Sequence, residues 1–268
     1  MWQSVFLSMN SSVTIQGNGG RLDEAVIAAN LECQRLSGLW SRFRPESLIS
    51  ELNREPDIWH SVDADTAKLL QAAIDYQKLT SGAFDVCFGA IRDIPALQRE
   101  ADYFRVLSGS QIGLGGIAKS FAVERVIEIL REYAVESALV NFGQSAIGVL
   151  GEPESGDSWR VGIHGPEPAQ AVNSPTLALR EGFISISGNY EAPSAQGSHI
   201  RDPRTGNPAN SALRSVTVIS DDSCLAKAIS TAMIVMGVGE GLDFQREVGG
   251  FEAVFIEDSN ELICTPGL

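Results

Sequence analysis

Residues 198–208 read S-H-I-R-D-P-R-T-G-N-P and concentrate four charged or titratable side chains in one short stretch. The Asp-Pro pair and the Gly-Asn-Pro triplet are turn signals, so we predict an ordered loop here rather than a helix. An imidazole and two guanidinium groups beside carboxylate and hydroxyl groups suit an anionic ligand such as a phosphate. A surface loop whose side chains bond only to one another is the alternative interpretation.

The composition is typical of a globular protein with a large excess of negative charge. The chain has 268 residues, of which 44% are hydrophobic and 20% charged, and its net charge is -14. We predict a single domain over residues 1–268, with two intimate lobes around a ligand cleft as the alternative. Because no excess of positive charge is available to neutralise phosphates, we predict no nucleic-acid partner. A local phosphate site is compatible with this charge.

Cysteine spacing and hydropathy indicate neither a metal framework nor a membrane protein. The four cysteines lie far apart without a CxxC pair, so neither a zinc site nor a disulfide framework is predicted. No run of about 18 apolar residues is present, so we predict no membrane span. The N-terminal residues lack a basic stretch followed by an apolar core, so the cytoplasm is the expected location.

Hydrophobic periodicity predicts both helices and strands. Apolar residues recur at helical spacing over residues 22–40, 63–79, 118–133 and 224–236. Alternating apolar and polar residues predict strands over residues 4–16 and 214–220. Ser47 stands at the cap of a short predicted helix, with Ser50 at the third helical position. Because strands and helices do not alternate strictly, the pattern favours an α+β fold.

A glycine-rich segment precedes the helix predicted over residues 118–133. Residues 113–118 read G-L-G-G-I-A and match the dinucleotide pattern GxGxxA, but no hydrophobic strand leads into them, so a Rossmann site is disfavoured. Glycines that open a helix still let the backbone approach a ligand, and a helix N-terminus favours anions. Lys119 lies in the first turn, where its charge opposes the helix dipole. We interpret it as a phosphate-binding residue, with a solvated lysine as the alternative.

Six segments in order along nearly the whole chain resemble the signatures of the ApbE family of flavin transferases. The segments are residues 41–47 with 52–53, 80–85, 115–123, 141–143, 187–191 with 199–208, and 215–218 with 226–231. The resemblance implies an α+β fold with mixed, mainly antiparallel sheets flanked by helices. It also implies an activity, in which FMN moves from FAD to a serine or threonine hydroxyl of an acceptor protein and AMP leaves.

The resemblance further implies a set of site residues. Contacts to FAD fall on Ser47, Phe84, Asp85, Gly115, Gly116, Ala118, Lys119, Ser187, Gly188, Tyr190 and Arg204. The catalytic positions are His199, Lys227 and Thr231, with His199 near the transferred phosphate as a general base. Phe84 and Tyr190 would pack on the flavin ring, with core packing as the alternative for Phe84, and Asp85 would anchor its own loop.

The implied magnesium site departs from the family pattern. The family holds the metal with an Asp side chain, a Thr hydroxyl and an Ala main-chain carbonyl, and the matching positions here are Lys227, Thr231 and Ala118. A protonated amine has no lone pair with which to bind magnesium. Three further carboxylates are replaced as well, by Gly113, Ser145 and Asn189.

A charge count suggests how the lysine at position 227 could replace the metal ion. Asp with magnesium contributes one positive charge and so does a lone lysine, so the pyrophosphate of FAD would still be held while the Lewis acid is lost. Loss of such stabilisation commonly costs about 10²-fold or more in rate. We therefore predict an FAD:protein FMN transferase with weakened activity. The alternatives are a flavin- or nucleotide-binding protein without transfer activity, and a partner-binding scaffold of the same fold.

Overall fold

The computed structural model describes residues 2–90, 94–163, 175–188, 200–209 and 211–268. The helices are α1 (Leu22–Trp40), α2 (Leu48–Arg54), α3 (Ala64–Leu79), α4 (Ala118–Glu132) and α5 (Ser223–Val248). The first strands are β1 (Trp2–Ser8), β2 (Ser11–Asn18), β3 (His60–Ser61), β4 (Cys87–Gly89), β5 (Leu97–Glu100), β6 (Tyr103–Val106) and β7 (Ser110–Ile112). The remaining strands are β8 (Ser137–Phe142), β9 (Ala146–Leu150), β10 (Trp159–Gly162), β11 (Thr176–Leu179), β12 (Gly182–Gly188), β13 (Leu213–Ser220), β14 (Glu252–Glu257) and β15 (Leu262–Cys264).

The largest sheet has eight strands in the order β1-β2-β8-β9-β12-β13-β14-β15, and every neighbouring pair is antiparallel. Within the described residues, three small sheets accompany it, formed by β10-β11, β3-β6-β5 and β4-β7. The prediction of an α+β fold with mainly antiparallel sheets and flanking helices is confirmed.

Apolar side chains cover both faces of the central strands. On one face, β2 and β8 pack against α1 and α4 through a core that includes Ile15, Leu36, Phe121 and Val140. The Trp40 ring meets the Phe121 ring edge to face with centroids 5.1 Å apart. On the other face, β9 and β12 pack against the β10-β11 hairpin. The sheet is therefore a buried middle layer, and side chains that leave its strands can be held inside the protein.

The N-terminal prediction is corrected at the turn between the first two strands. Residues 4–16 form a hairpin rather than one strand, because Met9 and Asn10 adopt φ values of 45° and 56°. Tight hairpins prefer this left-handed backbone at both turn positions. Asn adopts this backbone readily, but Met seldom does, so the sequence gives only a weak turn signal here.

The predicted helices are confirmed with small shifts at their ends. The helix at 22–40 has the predicted bounds, Asp63 caps α3, and Ser47 caps α2 by accepting a hydrogen bond from Ser50 N at 3.1 Å. The helix predicted over residues 224–236 continues to Val248, but Gly237 interrupts it with φ 78°. Among the described residues, α5 is the one helix long and apolar enough to cross a membrane. It packs on β12 and β13, and core helices of globular proteins meet the same criteria.

Gly148 allows β9 to approach α4 closely. A Cβ atom on Gly148 would lie 2.7 Å from Val123 Cγ1 and 2.9 Å from Ile127 Cγ1. We expect Gly148→Ala to lower the free energy of unfolding by about 1–3 kcal/mol, because the methyl group has to displace packed side chains. Urea denaturation measures the change.

Gly38→Ala is the matched control for this prediction. Gly38 lies within α1, and no described atom is within 4 Å of the position that its Cβ would take. We expect this substitution to raise the free energy of unfolding by about 0.5–1 kcal/mol, since Ala loses less backbone entropy than Gly in a helix. Equal stability of Gly148→Ala and the parent protein would contradict the packing argument.

Candidate functional site

Hydroxyl-bearing side chains of β12 and α5 meet around one lysine. Alternation along β12 puts Ser185 and Ser187 on the same face of the strand. On α5, the spacing i, i+3 and i+4 puts Lys227, Ser230 and Thr231 together on the face that contacts β12. We call these five residues the lysine–hydroxyl cluster.

Ser187 Oγ is the centre of the cluster. It accepts a hydrogen bond from Lys227 Nζ at 2.8 Å, and it lies 2.8 Å from Ser230 Oγ and 3.1 Å from Thr231 Oγ1. Ser230 Oγ also lies 3.1 Å from Ser185 Oγ. The three serines are buried, and the hydroxyls of Ser185 and Ser230 order the Ser187 hydroxyl that accepts from the ammonium group.

Two lysines with lowered pKa values lie in this part of the structure. Burial lowers the pKa of Lys227 to about 7, and the nearby charge of Lys119 is the second cause. Burial also lowers the pKa of Lys119, whose Nζ lies 3.8 Å from the position that a Cβ atom on Gly143 would take. No carboxylate among the described residues forms an ion pair with either lysine. A bound anion would stabilise both ammonium groups, because a nearby opposite charge favours the charged form.

The positions that the resemblance assigns to magnesium do not fit a cation. Lys227 presents an ammonium group below its pKa of about 7, and this charged form has no lone pair and repels positive charge. The Thr231 hydroxyl already donates to the main-chain oxygen of Lys227 at 3.0 Å and contacts Ser187. Magnesium requires several oxygen ligands in near-octahedral geometry, and the carbonyl of Ala118 alone does not supply them. The site as it stands fits an anion rather than a metal ion.

A cavity of about 530 Å³ opens beside Lys119. Arg42, Arg44 and Lys119 line it together with Gly115 and Ala118, and no Asp or Glu is among its described lining residues. Helix α4 begins here without a side-chain cap and without an acidic residue in its first turn, so its free N–H groups favour an anion. We call this space the cationic cavity, and it is notable in a chain with a net charge of -14.

Arg42 lies against two aromatic rings. Its guanidinium carbon lies 4.7 Å from the centre of the Phe43 ring and 4.8 Å from the centre of the Phe88 ring, which are cation–π distances. A Cβ atom on Gly113 would lie 3.1 Å from Phe88 Cε1 and 3.5 Å from Arg42 Cδ. An Asp at position 113, which the resemblance leads one to expect, would therefore crowd this stack. Gly113 gives the stacked arginine its room.

The described part of the opening stretch, residues 200–208, forms most of its hydrogen bonds within the stretch. Arg204 Nε and Nη2 donate to the two carboxylate oxygens of Asp202 at 2.9 and 3.1 Å, and this pairing raises the pKa of Arg204. Arg201 Nη1 donates to the main-chain oxygen of Gly206 at 3.0 Å. The loop borders a second cavity of about 690 Å³. Arg204, predicted as a second anion contact, is therefore paired with a carboxylate in this structure, and its contact with an anion stays a prediction.

Three other predicted contacts have structural roles. Phe84 is 2% exposed, so its ring packs in the core, which was the alternative to flavin packing. Asp85 anchors its own loop by accepting hydrogen bonds from Cys87 N at 2.8 Å and Gln77 Nε2 at 2.6 Å. Burial raises the pKa of Asp85. Ser47 is buried as the cap of α2.

Of the remaining predicted residues, some lie near the site and others lie outside the described residues. Gly116 belongs to the turn that enters α4, and Gly188 ends β12 directly after Ser187. His199, Tyr190 and Asn189 lie outside the described residues, so their roles stay predictions.

Sequence reasoning missed four residues of the site. Ser185 and Ser230 complete the lysine–hydroxyl cluster, and Arg42 and Arg44 line the cationic cavity. The Ser-Ile-Ser alternation of β12 was a usable signal for the first serine. The two arginines lie in a predicted signature segment, but only the fold shows that they face Lys119.

Comparison with known proteins supports the fold and the family. The structure resembles the flavin transferase ApbE of Vibrio cholerae with a TM-score of 0.86, at 22% identity and with coverage of 99% of this chain and 97% of that one. The Thermotoga maritima ApbE protein gives a TM-score of 0.84 at 22% identity, with the same coverage. At this identity the likeness shows a shared fold.

Curated relatives and a family model extend the likeness to the sequence. The FAD:protein FMN transferase of Treponema pallidum is 31% identical over 172 residues, which are 60% of this chain and 48% of that protein. The enzyme of that name from Klebsiella pneumoniae is 34% identical over 162 residues, 59% of this chain and 49% of that protein. The chain thus matches about half the length of these two relatives. The model of the ApbE family matches residues 9–255, and the chain belongs to the ApbE family.

Proposed function

We propose that this chain is an FAD:protein FMN transferase that binds FAD without magnesium and transfers FMN slowly. One observation carries the proposal. Arg42, Arg44 and Lys119 line the cationic cavity without an acidic side chain among its described lining residues, in a chain whose net charge is -14, and Lys227 lies near enough to Lys119 for that charge to lower its pKa. Three cationic side chains around one cavity of an acidic protein are suited to a ligand with concentrated negative charge.

The pyrophosphate of FAD fits this arrangement of charges. Arg42 and Arg44 supply planar guanidinium groups, which bind phosphate oxygens through paired hydrogen bonds. Lys119 adds a point charge, and the uncapped N-terminus of α4 adds main-chain N–H donors. Lys227 brings a further positive charge from the lysine–hydroxyl cluster, in place of a metal ion.

Transfer of FMN requires one bond to form and one to break at phosphorus. The acceptor hydroxyl oxygen attacks the FMN-side phosphorus of FAD, the bond from this phosphorus to the AMP oxygen breaks, and a base takes the hydroxyl proton. His199 is the predicted base. This chemistry depends on neutralising and positioning the phosphates. An ammonium group supplies charge but not a Lewis acid, so we expect a rate that is lower by about 10²-fold or more than with a bound metal.

A flavin-binding protein without transfer activity is the second candidate function. It is favoured by the hydrogen bond of 2.8 Å that holds the Lys227 ammonium on Ser187, since this places a fixed cation where the resemblance implies the metal. Incubation with FAD and an acceptor domain separates the two functions. Release of AMP with flavinylation of the acceptor supports transfer, and FAD binding without either product supports the second candidate. Absence of FAD binding contradicts both and leaves the partner-binding scaffold.

We expect FAD to bind equally well with magnesium and with EDTA, because lysine rather than a metal ion neutralises the pyrophosphate. Titration of the protein into FAD, followed by flavin fluorescence, measures the dissociation constant. Lys119→Ala should weaken binding by about 10- to 100-fold, as for loss of a charged hydrogen bond. Lys68→Ala is the matched control, because Lys68 is paired with Glu124 and lies outside the cationic cavity. A dissociation constant that rises strongly in EDTA would refute metal-free binding.

We expect Lys227→Asp to make FAD turnover dependent on magnesium, since the carboxylate restores an oxygen ligand beside Thr231. AMP release in the presence and absence of magnesium is the measurement. Lys227→Ala serves as the control that removes the ammonium without adding a ligand, and it should weaken FAD binding without gaining a response to magnesium. Identical magnesium responses of the Asp and Ala variants would refute the assignment of position 227.

A further inference from the structure

A second group of polar side chains lies outside both cavities, where α2 ends and β3 begins. Glu51 belongs to α2, Glu55 follows its last turn, and His60 opens β3. His60 Nδ1 lies 3.7 Å from a Glu51 carboxylate oxygen, and His60 Nε2 lies 3.8 Å from a Glu55 carboxylate oxygen. These distances are too long for hydrogen bonds. One ligand atom from each residue lies within 4.8 Å of the other two.

The imidazole of His60 is fixed in position and incompletely satisfied. Its side chain is only 10% exposed, and its backbone pairs with Phe104 of β6. The Nε2 atom is buried and has no hydrogen-bond partner among the described residues. Leaving a buried polar atom unpaired is unfavourable, so native structures normally provide it with a partner. Here the partner is absent, while a carboxylate lies just beyond hydrogen-bond range.

The two glutamates carry like charges close together, so a bound cation would relieve their repulsion. Glu51 and Glu55 stand at positions i and i+4, where like charges repel, and the hydrogen bond from Glu55 N to Glu51 O at 3.0 Å keeps them on one helical turn. No Arg or Lys among the described residues forms an ion pair with either glutamate. Arg54 donates instead to the main-chain oxygen of Pro45. Both carboxylates are half exposed, so an ion has access from solvent.

We propose that Glu51, Glu55 and His60 bind a divalent transition-metal ion of the zinc type. One imidazole nitrogen and two carboxylate oxygens are ligands that Zn²⁺ and Co²⁺ accept, and water would complete the coordination. Ligand atoms in a tetrahedral site with bonds of about 2.0 Å lie about 3.3 Å apart. A single ion uses one of the two imidazole nitrogens, and the three ligand atoms lie within 4.8 Å of one another. The exposed glutamate side chains therefore have to close by up to about 1.5 Å, which torsion of their side-chain bonds permits. This site is independent of flavin binding.

Another cluster of potential ligands provides the contrast. Glu124, Asp222 and Cys224 also lie close together, but each carboxylate already has a partner. Glu124 pairs with Lys68 at 3.0 Å, and Asp222 accepts from Tyr76 Oη and caps α5. Burial raises the pKa of the Cys224 thiol well above its usual value, which opposes metal binding. We therefore assign the metal to the histidine cluster.

Titration of the chelator-treated protein with Co²⁺ and then Zn²⁺ tests the proposal. We expect one equivalent of Co²⁺ to bind with a visible d–d spectrum and without a thiolate-to-metal band, and Zn²⁺ to displace it. The double variant Glu51→Gln/Glu55→Gln should bind both ions at least tenfold more weakly. Its substitutions are exposed and nearly isosteric, so it should fold like the parent protein. His60→Gln should have the same effect on affinity.

Two control measurements distinguish this site from other sources of binding. Cys224→Ala should bind both metals as the parent does, and the double glutamine variant should bind FAD as the parent does. The proposal is overturned if the parent protein binds no equivalent of either ion, if both variants of the cluster keep full affinity, or if the Co²⁺ spectrum contains a thiolate band.

Discussion

Lys227 leaves α5 at the point where this helix packs on β12, so its ammonium group has to find hydrogen-bond acceptors inside the protein. The Ser187 hydroxyl at 2.8 Å provides the main one, and the neighbouring hydroxyls orient it. A partly buried charge without such acceptors would cost several kcal/mol. The small serines of β12 therefore do two things. They let the helix approach the sheet, and they hold the Lys227 ammonium group at the position where the resemblance to the ApbE family implies a metal ion.

The net charge of the chain and the local charges of the cavity act on an anion over different distances. The net charge of -14 repels anions at long range, but at physiological ionic strength such a field is screened beyond about 8 Å. Within that distance an anion experiences Arg42, Arg44 and Lys119, and no carboxylate of the described cavity lining opposes them. The proposed recognition of a phosphate therefore depends on the local charges of the cavity rather than on the net charge of the chain.

Much of the fold was predictable because it follows local rules. Residues 22–40 keep helical periodicity throughout, and Ser47 and Asp63 are effective caps. Strand β9 was missed because all five of its residues are buried, against α4 on one face and against β10-β11 on the other, so the sequence has no alternation there. The site was only partly predictable for a different reason. Lys119 followed from its place in the first turn of a helix and Lys227 from the resemblance, but the contributions of Ser230 and Arg44 depend on how separate elements pack.

The contacts of Arg42 with two aromatic rings have a consequence for the entropy of binding. A free arginine has many rotamers, and ordering such a side chain at an interface costs about 0.5–1.5 kcal/mol. Phe43 and Phe88 restrict the rotamers of Arg42 when the chain folds, before a ligand arrives. A ligand with phosphate oxygens therefore meets a preorganised donor, and more of the interaction energy is retained as affinity.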